Sequence, residues 1–424
     1  MRKLNIRVGD PITPTDSRVE DARLSLLATG LFRDVSFELV RGSQPGRVVL
    51  VVRVQERGSI VIQALPLGYS DATPFWGGLD LAENNFLGRG LHLSGAFVVG
   101  GAARDIGGSR LQHAERLRLA YPRLIGDIVG LSAVILHNEA SDYFRIRGTN
   151  PEGADLENFA AVVYRRVGGA LGLFSELGRL NKVYFDYRLE GIDARVPLVA
   201  VREYPDGRRE HIKFDLERGW SFLSSIQVTF VRDTRNDPAM PSAGMRLELG
   251  GELATSYVGS DYDFAKLSVS FQKHWLLPFK RHVISLQVFS GVIIGNAPLF
   301  NKFFVGDLSE LLASRALELN FSTRPARNFF SNVIESKRYE TVAGRVAVSY
   351  SIPLSRGAGL IYGSDFYVTV GLFSLFSTRD FLVRDQGLRK ALPIDMTFDL
   401  GFRLDTYVGV FKLSFGNALG WIPR

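Results

Sequence analysis

The chain has 424 residues, 46% of them hydrophobic, and a formal net charge of +7. A chain this apolar can bury a large core, so global disorder is excluded. It has no cysteine, which removes disulfide scaffolds, thiol nucleophiles and zinc–thiolate sites. The basic residues are scattered among acids with no long Lys/Arg run, so the charge leaves no nucleic-acid footprint. No run of about 18 uncharged apolar residues occurs, which argues against a membrane-spanning helix. The N-terminal Met1-Arg2-Lys3-Leu4 lacks the apolar middle of a signal peptide. That fits either a cytoplasmic protein or a chain that starts after a removed leader.

Residues 1–57 read as a unit of their own. Leu4 to Val8 alternates as a strand does, and Asp10-Pro11 breaks it. Thr15 or Asp16 can cap a helix with apolar positions at Val19, Ala22, Leu26 and Leu27, and Gly30 suits its end. Val35 to Val40 alternates, Gly42 to Gly46 turns the chain, and Arg47 to Glu56 returns. The expected order is β-α-β-β.

After Arg57 the helical period almost disappears. Val183, Phe185, Tyr187 and Leu189 share one face while Asp186, Arg188 and Glu190 share the other. Leu267, Val269 and Phe271 oppose Ser268 and Ser270, and Phe398, Leu400, Phe402 and Leu404 oppose Asp399, Arg403 and Asp405. Successive side chains of a strand point to opposite sides, so each segment has an apolar and a polar face. About fifteen such segments begin near Ile60, Phe75, Leu91, Glu115, Ile128, Phe159, Lys182, Trp220, Met245, Phe264, Val283, Arg345, Ile361, Thr397 and Val410. Several exceed ten residues, the length of a tilted strand crossing hydrocarbon. A soluble sandwich or propeller would show the same alternation with its apolar face inward. Charge in mid-strand and aromatics near strand ends, such as Phe75, Trp76, Trp220, Tyr257, Trp275 and Tyr407, favour a barrel with a wet lumen. The expected fold is mainly β, a transmembrane antiparallel β-barrel of about 16 strands over residues 58–424, preceded by one small α+β domain over residues 1–57.

Three motifs carry a family resemblance: "LLATGLFRDVSFEL" with "VRVQER" in the first domain, "GLDLAENNFLGRGLHL" at Gly78 to Leu93, and "VRDTRNDPAMPSAGMRLEL" at Val231 to Leu249. With them the chain resembles the BamA/TamA-type outer-membrane assembly factors, the bacterial surface antigen family. The resemblance implies that residues 1–57 are a POTRA-like periplasmic domain. It makes Asn85, Gly88 and Gly90 an early turn, and Asp233, Thr234, Arg235, Pro241 and Gly244 a second turn. The Asp233/Arg235/Asp237 group has a metal-like look but is read as that turn, because Asp and Asn serve turns well. His92, His113, His137 and His274 show no metal-ligand spacing, and no Gly-x-Ser-x-Gly occurs. No catalytic, cofactor-binding or metal residue is expected.

Residues 298–341 form a long connection, and by order they match the loop that folds into the lumen in this family. There, a loop Arg in an Arg-Gly-aromatic motif meets acidic groups of the wall. Arg315 is the best candidate for that Arg, although Ala316 and Leu317 stand in place of Gly and an aromatic. The wall Asp of the family is replaced by Thr369, with Asp365 or Glu318 as substitutes, and the wall acids Asp186, Glu190, Glu248, Asp399 and Asp405 are expected to line the lumen. The terminal strand carries Gly409, Phe411, Leu413 and Phe415, with Trp421 in the role of the closing aromatic.

The resemblance implies a cofactor-free, non-enzymatic machine in the bacterial outer membrane. It would insert or translocate proteins by templating strands at the barrel seam. Its partners would be outer-membrane lipids, client outer-membrane or secreted proteins, and periplasmic or lipoprotein accessory subunits, with no nucleic acid. The alternatives are a polypeptide-conducting or polymer-conducting pore with the long loop as plug, and a structural scaffold.

Overall fold

The computed structural model describes residues 6–13, 16–27, 32–56, 58–68, 73–101, 111–125, 128–147, 158–178, 180–197, 201–203, 206–238, 240–279, 281–304, 315–321, 339–356, 360–377 and 394–416. Helix α1 (Ser17–Leu27) leads, followed by strands β1 (Phe32–Arg41) and β2 (Val48–Glu56), which pair antiparallel. Asp16 caps the helix: its Oδ1 accepts the Arg18 backbone N–H at 2.9 Å. Ala22, Leu27 and Val35 are buried between helix and hairpin. Ile6 and Arg7 lie outside any strand, contrary to the alternation of Leu4 to Val8. Val8 and Gly9 make a turn instead, closed by Asp10 N–H on the Arg7 carbonyl at 3.1 Å. The local Asp10 side chain, accepting from Arg7 N–H, competes successfully with a sheet partner.

The wall of a barrel follows. Strands β3 (Ile60–Ala64) and β4 (Leu67–Gly68) both pair with β5 (Trp76–Phe86) and share the first position. Then come β6 (Leu91–Gly100), β7 (Gln112–Ile125), β8 (Val129–Arg145), β9 (Phe159–Glu176) and β10 (Asn181–Arg195). A small hairpin of β11 (Val201–Glu203) and β12 (Arg209–His211) stands outside the wall sheet. The wall resumes with β13 (Gly219–Asp233), β14 (Gly244–Ala254), β15 (Phe264–Leu276) and β16 (Val283–Gly295). The long connection holds β17 (Phe303–Phe304), β18 (Arg315–Ala316), β19 (Leu319–Asn320) and β20 (Tyr339–Glu340). Strands β21 (Val342–Arg356), β22 (Ile361–Phe376), β23 (Ile394–Thr406) and β24 (Gly409–Gly416) complete the wall.

Every neighbouring pair in the wall is antiparallel, and the sheet runs from β24 through to β3 in chain order. The described wall therefore has sixteen strand segments at fifteen positions, because β3 and β4 share one. Fourteen antiparallel steps leave β3 and β24 pointing the same way. They meet near the turn between β23 and β24, where Ile62 N–H donates to the Val408 carbonyl at 2.6 Å. This is the one backbone hydrogen bond across the seam among the described residues.

The faces follow the alternation. Phe185, Tyr187, Leu189, Leu267 and Val269 are exposed on the outside. Glu190, Asp399 and Asp405 are buried inside, and Arg403 reaches Asp365 at 2.9 Å across the inner face. A soluble sandwich would invert this, so the exposed apolar band is a lipid-facing surface. Trp220 and Tyr257 stand exposed at the end that carries the long connection, and Trp275, Phe279 and Tyr407 at the end that carries residues 1–57. Trp76 is the exception among the expected interface aromatics. It occupies an inward position of β5 and is 3% exposed, stacked on Phe321 at 4.8 Å. No helix among the described residues is long and apolar enough to cross a membrane.

Substitution should separate the two faces. Leu267→Arg should lower barrel stability by about 2–4 kcal/mol if it lies near the bilayer midplane, and Ser270→Arg, on the inner face opposite Glu248, should cost far less. Urea unfolding in lipid vesicles reads the difference; equal losses would contradict the assigned faces.

Candidate functional site: the lumen and its inserted loop

At the end of the barrel that carries the long connection, the lumen is filled by apolar side chains. Wall residues Val98, Val162, Tyr164, Ile192, Leu223 and Ile293 form one buried cluster with Leu299, Phe300, Phe303, Phe304, Leu319 and Phe321 of the connection. The connection thus folds inward and supplies seven of the twenty-four described buried side chains of an interior core. Two glycines of the wall make the space. A Cβ on Gly291 would lie 2.3 Å from the Phe303 ring, and one on Gly100 would lie 2.6 Å from the Phe321 ring. No larger residue fits at either place without moving an aromatic plug side chain.

The tip of the insertion is the β18–β19 hairpin. Arg315 pairs with Asn320 and Ala316 with Leu319, which leaves Leu317 and Glu318 as a two-residue loop. Both have positive φ, 46° and 68°, as a type I′ turn requires. Neither residue favours that region, so the tip carries backbone strain, typically of about 1–3 kcal/mol per residue. Surrounding contacts must hold it.

A buried charge network does so. Arg166, an inward residue of β9, has a side chain with no solvent exposure. It donates to Glu190 of β10 at 2.8 Å and, through Nη1, to Glu318 of the hairpin tip at 2.5 Å. The Phe300 ring covers its guanidinium, 3.8 Å from Cζ. Arg188 closes the network, reaching Glu190 through Nε and Glu252 through Nη1 at 3.2 Å. Asn301 of the connection accepts from Arg188 at 3.2 Å and donates to Glu252 at 3.3 Å. Lys266 donates to the Asn301 carbonyl at 2.8 Å. Nearer the loop end of the barrel, Asp142 of β8 accepts from Asn320, Tyr339 and Tyr164. The forked contact of Arg166 stays within the wall, on Glu190, while wall and loop are joined by the single charge-assisted bond from Arg166 to the half-exposed Glu318 and by the hydrogen bonds of Asn301 and Asp142.

The family resemblance implies a lock between a loop arginine and a wall acid; among the described residues the ion pair that joins loop and wall runs from a wall arginine, Arg166, to a loop acid, Glu318. Glu190, expected among the acids available to a loop arginine, already accepts from Arg166 and Arg188. Asp365 is engaged by Arg403, and Thr369, which stands where the family carries Asp, donates to Ser349 at 2.9 Å. Of the two proposed substitutes, Glu318 is the one in the loop–wall contact. The Arg315 side chain lies outside the described residues.

The two turns singled out from sequence, and the start of the terminal strand, lie at the opposite end. Asn85, Gly88 and Gly90 form the β5–β6 turn, where Asn85 Oδ1 accepts Gly90 N–H at 2.7 Å and both glycines have a φ of 68°. In the β13–β14 turn, which includes Pro241, Asp233 holds Arg235 at 2.7 Å and Thr234 Oγ1 accepts Met245 N–H at 3.0 Å. A Cβ on Gly244 would lie 2.2 Å from the Thr234 carbonyl oxygen. Gly409 opens β24 against Ile62, and Phe411 and Leu413 are exposed on its outer face. The Phe415 side chain and Trp421 lie outside the described residues. These groups build turns and the seam, and the structure does not bring them to the lumen network. Arg166, Phe300 and Asn301 were not identified from sequence. Arg166 had a weak signal, an arginine at an inward position of an otherwise small and apolar strand.

A strand-built, lipid-facing wall with an inserted loop plug is that of an outer-membrane β-barrel. Its family is given by comparison: residues 85–381 match the Omp85 superfamily domain, and the chain belongs to that superfamily of bacterial outer-membrane proteins. It is 24% identical over 319 residues to the outer membrane protein assembly factor BamA of Nitratidesulfovibrio vulgaris, covering 73% of this chain and 35% of that protein. The chain thus spans about a third of the length of that curated relative. Among solved structures, BamA from Haemophilus ducreyi lacking POTRA domains 1–3 aligns with a TM-score of 0.54 at 15% identity, over 98% of this chain and 77% of that one. CdiB from Escherichia coli aligns with a TM-score of 0.56 at 11% identity, over 96% and 67%.

Removing one partner of a buried ion pair leaves the other uncompensated, at a cost of about 3–5 kcal/mol. Arg166→Met should therefore strongly destabilise the closed barrel, seen as a lower temperature for loss of heat-modifiable migration. Glu318→Gln keeps the hairpin and one hydrogen bond, so it should mainly release the loop. Faster proteolysis of the 305–338 region in intact cells would register that release, and unchanged cleavage would show that Glu318 is not an anchor.

Proposed function

We propose that this chain works as an assembly-factor-type barrel, inserting or translocating proteins at the outer membrane by templating strands at its seam. The observation that carries the reading is the seam itself, crossed by a single backbone hydrogen bond among the described residues. Elsewhere in the wall each strand is zipped to both neighbours. Unpaired N–H and C=O groups on a strand edge are a template for another strand. In hydrocarbon they have no water to pair with, which favours capture of a client strand by β-augmentation. No covalent step and no cofactor is needed. On this reading residues 1–57 are a POTRA-like periplasmic domain ahead of the barrel of residues 58–424. The exposed apolar side chains of β1 and β2 are available to clients or to lipoprotein accessory subunits.

The inserted loop then works as a rigid plug that keeps the lumen closed while the seam opens. Arg315 belongs to this proposal as a second anchor beside Glu318. If it is one, Arg315→Ala should raise cleavage of the loop region in intact cells, while Arg327→Ala leaves it unchanged. A pore reading uses the same plug differently, as a gate. It requires that deleting residues 298–341 give a large, steady single-channel conductance and that client folding be unaffected.

The chain is cysteine-free, so a disulfide between positions 62 and 408 can be placed without competition. Ile62→Cys with Val408→Cys, oxidised, should slow the folding of a client barrel into vesicles severalfold or more, and reductant should restore the rate. Full activity of the oxidised protein would exclude templating at this seam.

A further inference from the structure

The outer wall carries a cluster that the lumen and seam leave unused. On the outer faces of β7 and β8, Glu115 lies directly opposite His137, and His113 directly opposite Glu139. Strand register, not sequence spacing, makes this checkerboard of two imidazoles and two carboxylates. Glu115 bridges both rings: its Oε1 lies 2.9 Å from His113 Nδ1 and its Oε2 lies 2.9 Å from His137 Nδ1. The rings approach to 5.3 Å between centroids. One ligating atom each from His113, Glu115 and His137 falls within 4.8 Å of the others. His113 Nε2, on the far side of its ring, lies 3.8 Å from Glu139 Oε2.

We infer that this cluster is a binding site for a transition-metal dication of the zinc type. Zinc binds imidazole nitrogen and carboxylate oxygen at about 2.0–2.2 Å, so tetrahedral ligand atoms stand roughly 3.3 Å apart. The two Nδ1–Oε separations are already close to that edge, and small rotations about side-chain bonds admit the ion. His113 and His137 give Nδ1, and Glu115 gives an oxygen. Glu139 Oε2, 3.8 Å from His113 Nε2, is beyond hydrogen-bond range as it stands, and a small side-chain rotation would let it accept that N–H and orient the ring as outer carboxylates do in histidine–metal sites. Water or a phosphate oxygen completes the shell. Two imidazoles select zinc, copper or nickel ions over magnesium and calcium, which prefer all-oxygen shells.

The position gives the site a consequence. Below it on the same outer faces lie Leu117 and Ile135, both exposed to lipid. Beside it Glu139 faces Arg165 of β9, which is 3.9 Å from Asp193 and lies over the Trp220 ring. The cluster therefore sits where the apolar band gives way to charge, at the end of the barrel that carries the inserted loop. A dication there neutralises two carboxylates at the membrane surface and ties β7 to β8 by side chains as well as backbone.

Tag-free protein in detergent micelles tests the inference, with zinc chloride as the probe and magnesium chloride as the control. Calorimetric titration should give a zinc site in the wild type whose affinity falls at least tenfold in His137→Ala and in Glu115→Gln. His282→Ala, which alters a histidine outside the cluster, should leave it unchanged. Glu115→Gln is isosteric, and heat-modifiable migration checks that each variant is folded. Zinc should also raise the temperature at which the wild type loses that migration, and not that of His137→Ala. Equal zinc affinity in wild type and both cluster variants would overturn the site. So would magnesium binding as tightly as zinc, because it would show an unselective surface of carboxylates.

Discussion

Backbone hydrogen bonding in hydrocarbon governs this molecule. A peptide group facing lipid has no water to pair with, so every crossing segment must find its partners in a neighbouring strand. That requirement produces the continuous antiparallel wall from β3 to β24 and forces the side chains to alternate between lipid and lumen. The outer face becomes apolar, and the inner face holds Arg166, Glu190, Arg403 and Asp399. The same requirement makes the seam the exceptional place. Two parallel edge strands joined by the Ile62–Val408 bond are the least satisfied part of the described wall.

The lumen presents the opposite problem. Its charged residues face inward, and those buried beneath the loop, Arg166 and Glu190 above all, must be neutralised by one another and by the loop. Arg166 accomplishes this by taking Glu190 from the wall and Glu318 from the loop, with Phe300 stacked over its face. Arginine suits the position because it stays charged and offers several donors in one plane. Its partners come from separate parts of the chain, so the plug and the wall are satisfied only together. A buried network of this kind adds little net stability compared with an apolar core. What it supplies is a specific docked position for a strained hairpin tip.

Strand existence and face were legible because both depend on a period of two within a short window. The fifteen expected starting points fall within three residues of observed wall strands, from Ile60 to Gly409. The length of the connection between β16 and β21 was equally plain. The expectation that it folds into the lumen came from family resemblance, together with that length and the apolar Phe303-Phe304-Val305 entry. Residues 6–8, the described part of the expected strand from Leu4 to Val8, depart from it because a short alternation cannot outweigh a side chain that caps its own turn, as Asp10 does.

The amino-acid sequence by itself determined the class of the protein: a strand-crossing barrel with an apolar exterior, turn chemistry at Asn85–Gly90 and Asp233–Gly244, and one long insertion. Each of these is written in neighbouring residues. Tertiary structure alone decided which charges meet. Glu318 reaches Arg166 across 152 residues of chain, His113 and His137 converge only through the register of β7 and β8, and Trp76 turns inward to stack on Phe321. Such pairings depend on register and on how deep the loop descends, and both are set by the closed wall as a whole, because shifting one strand by one residue would exchange its two faces.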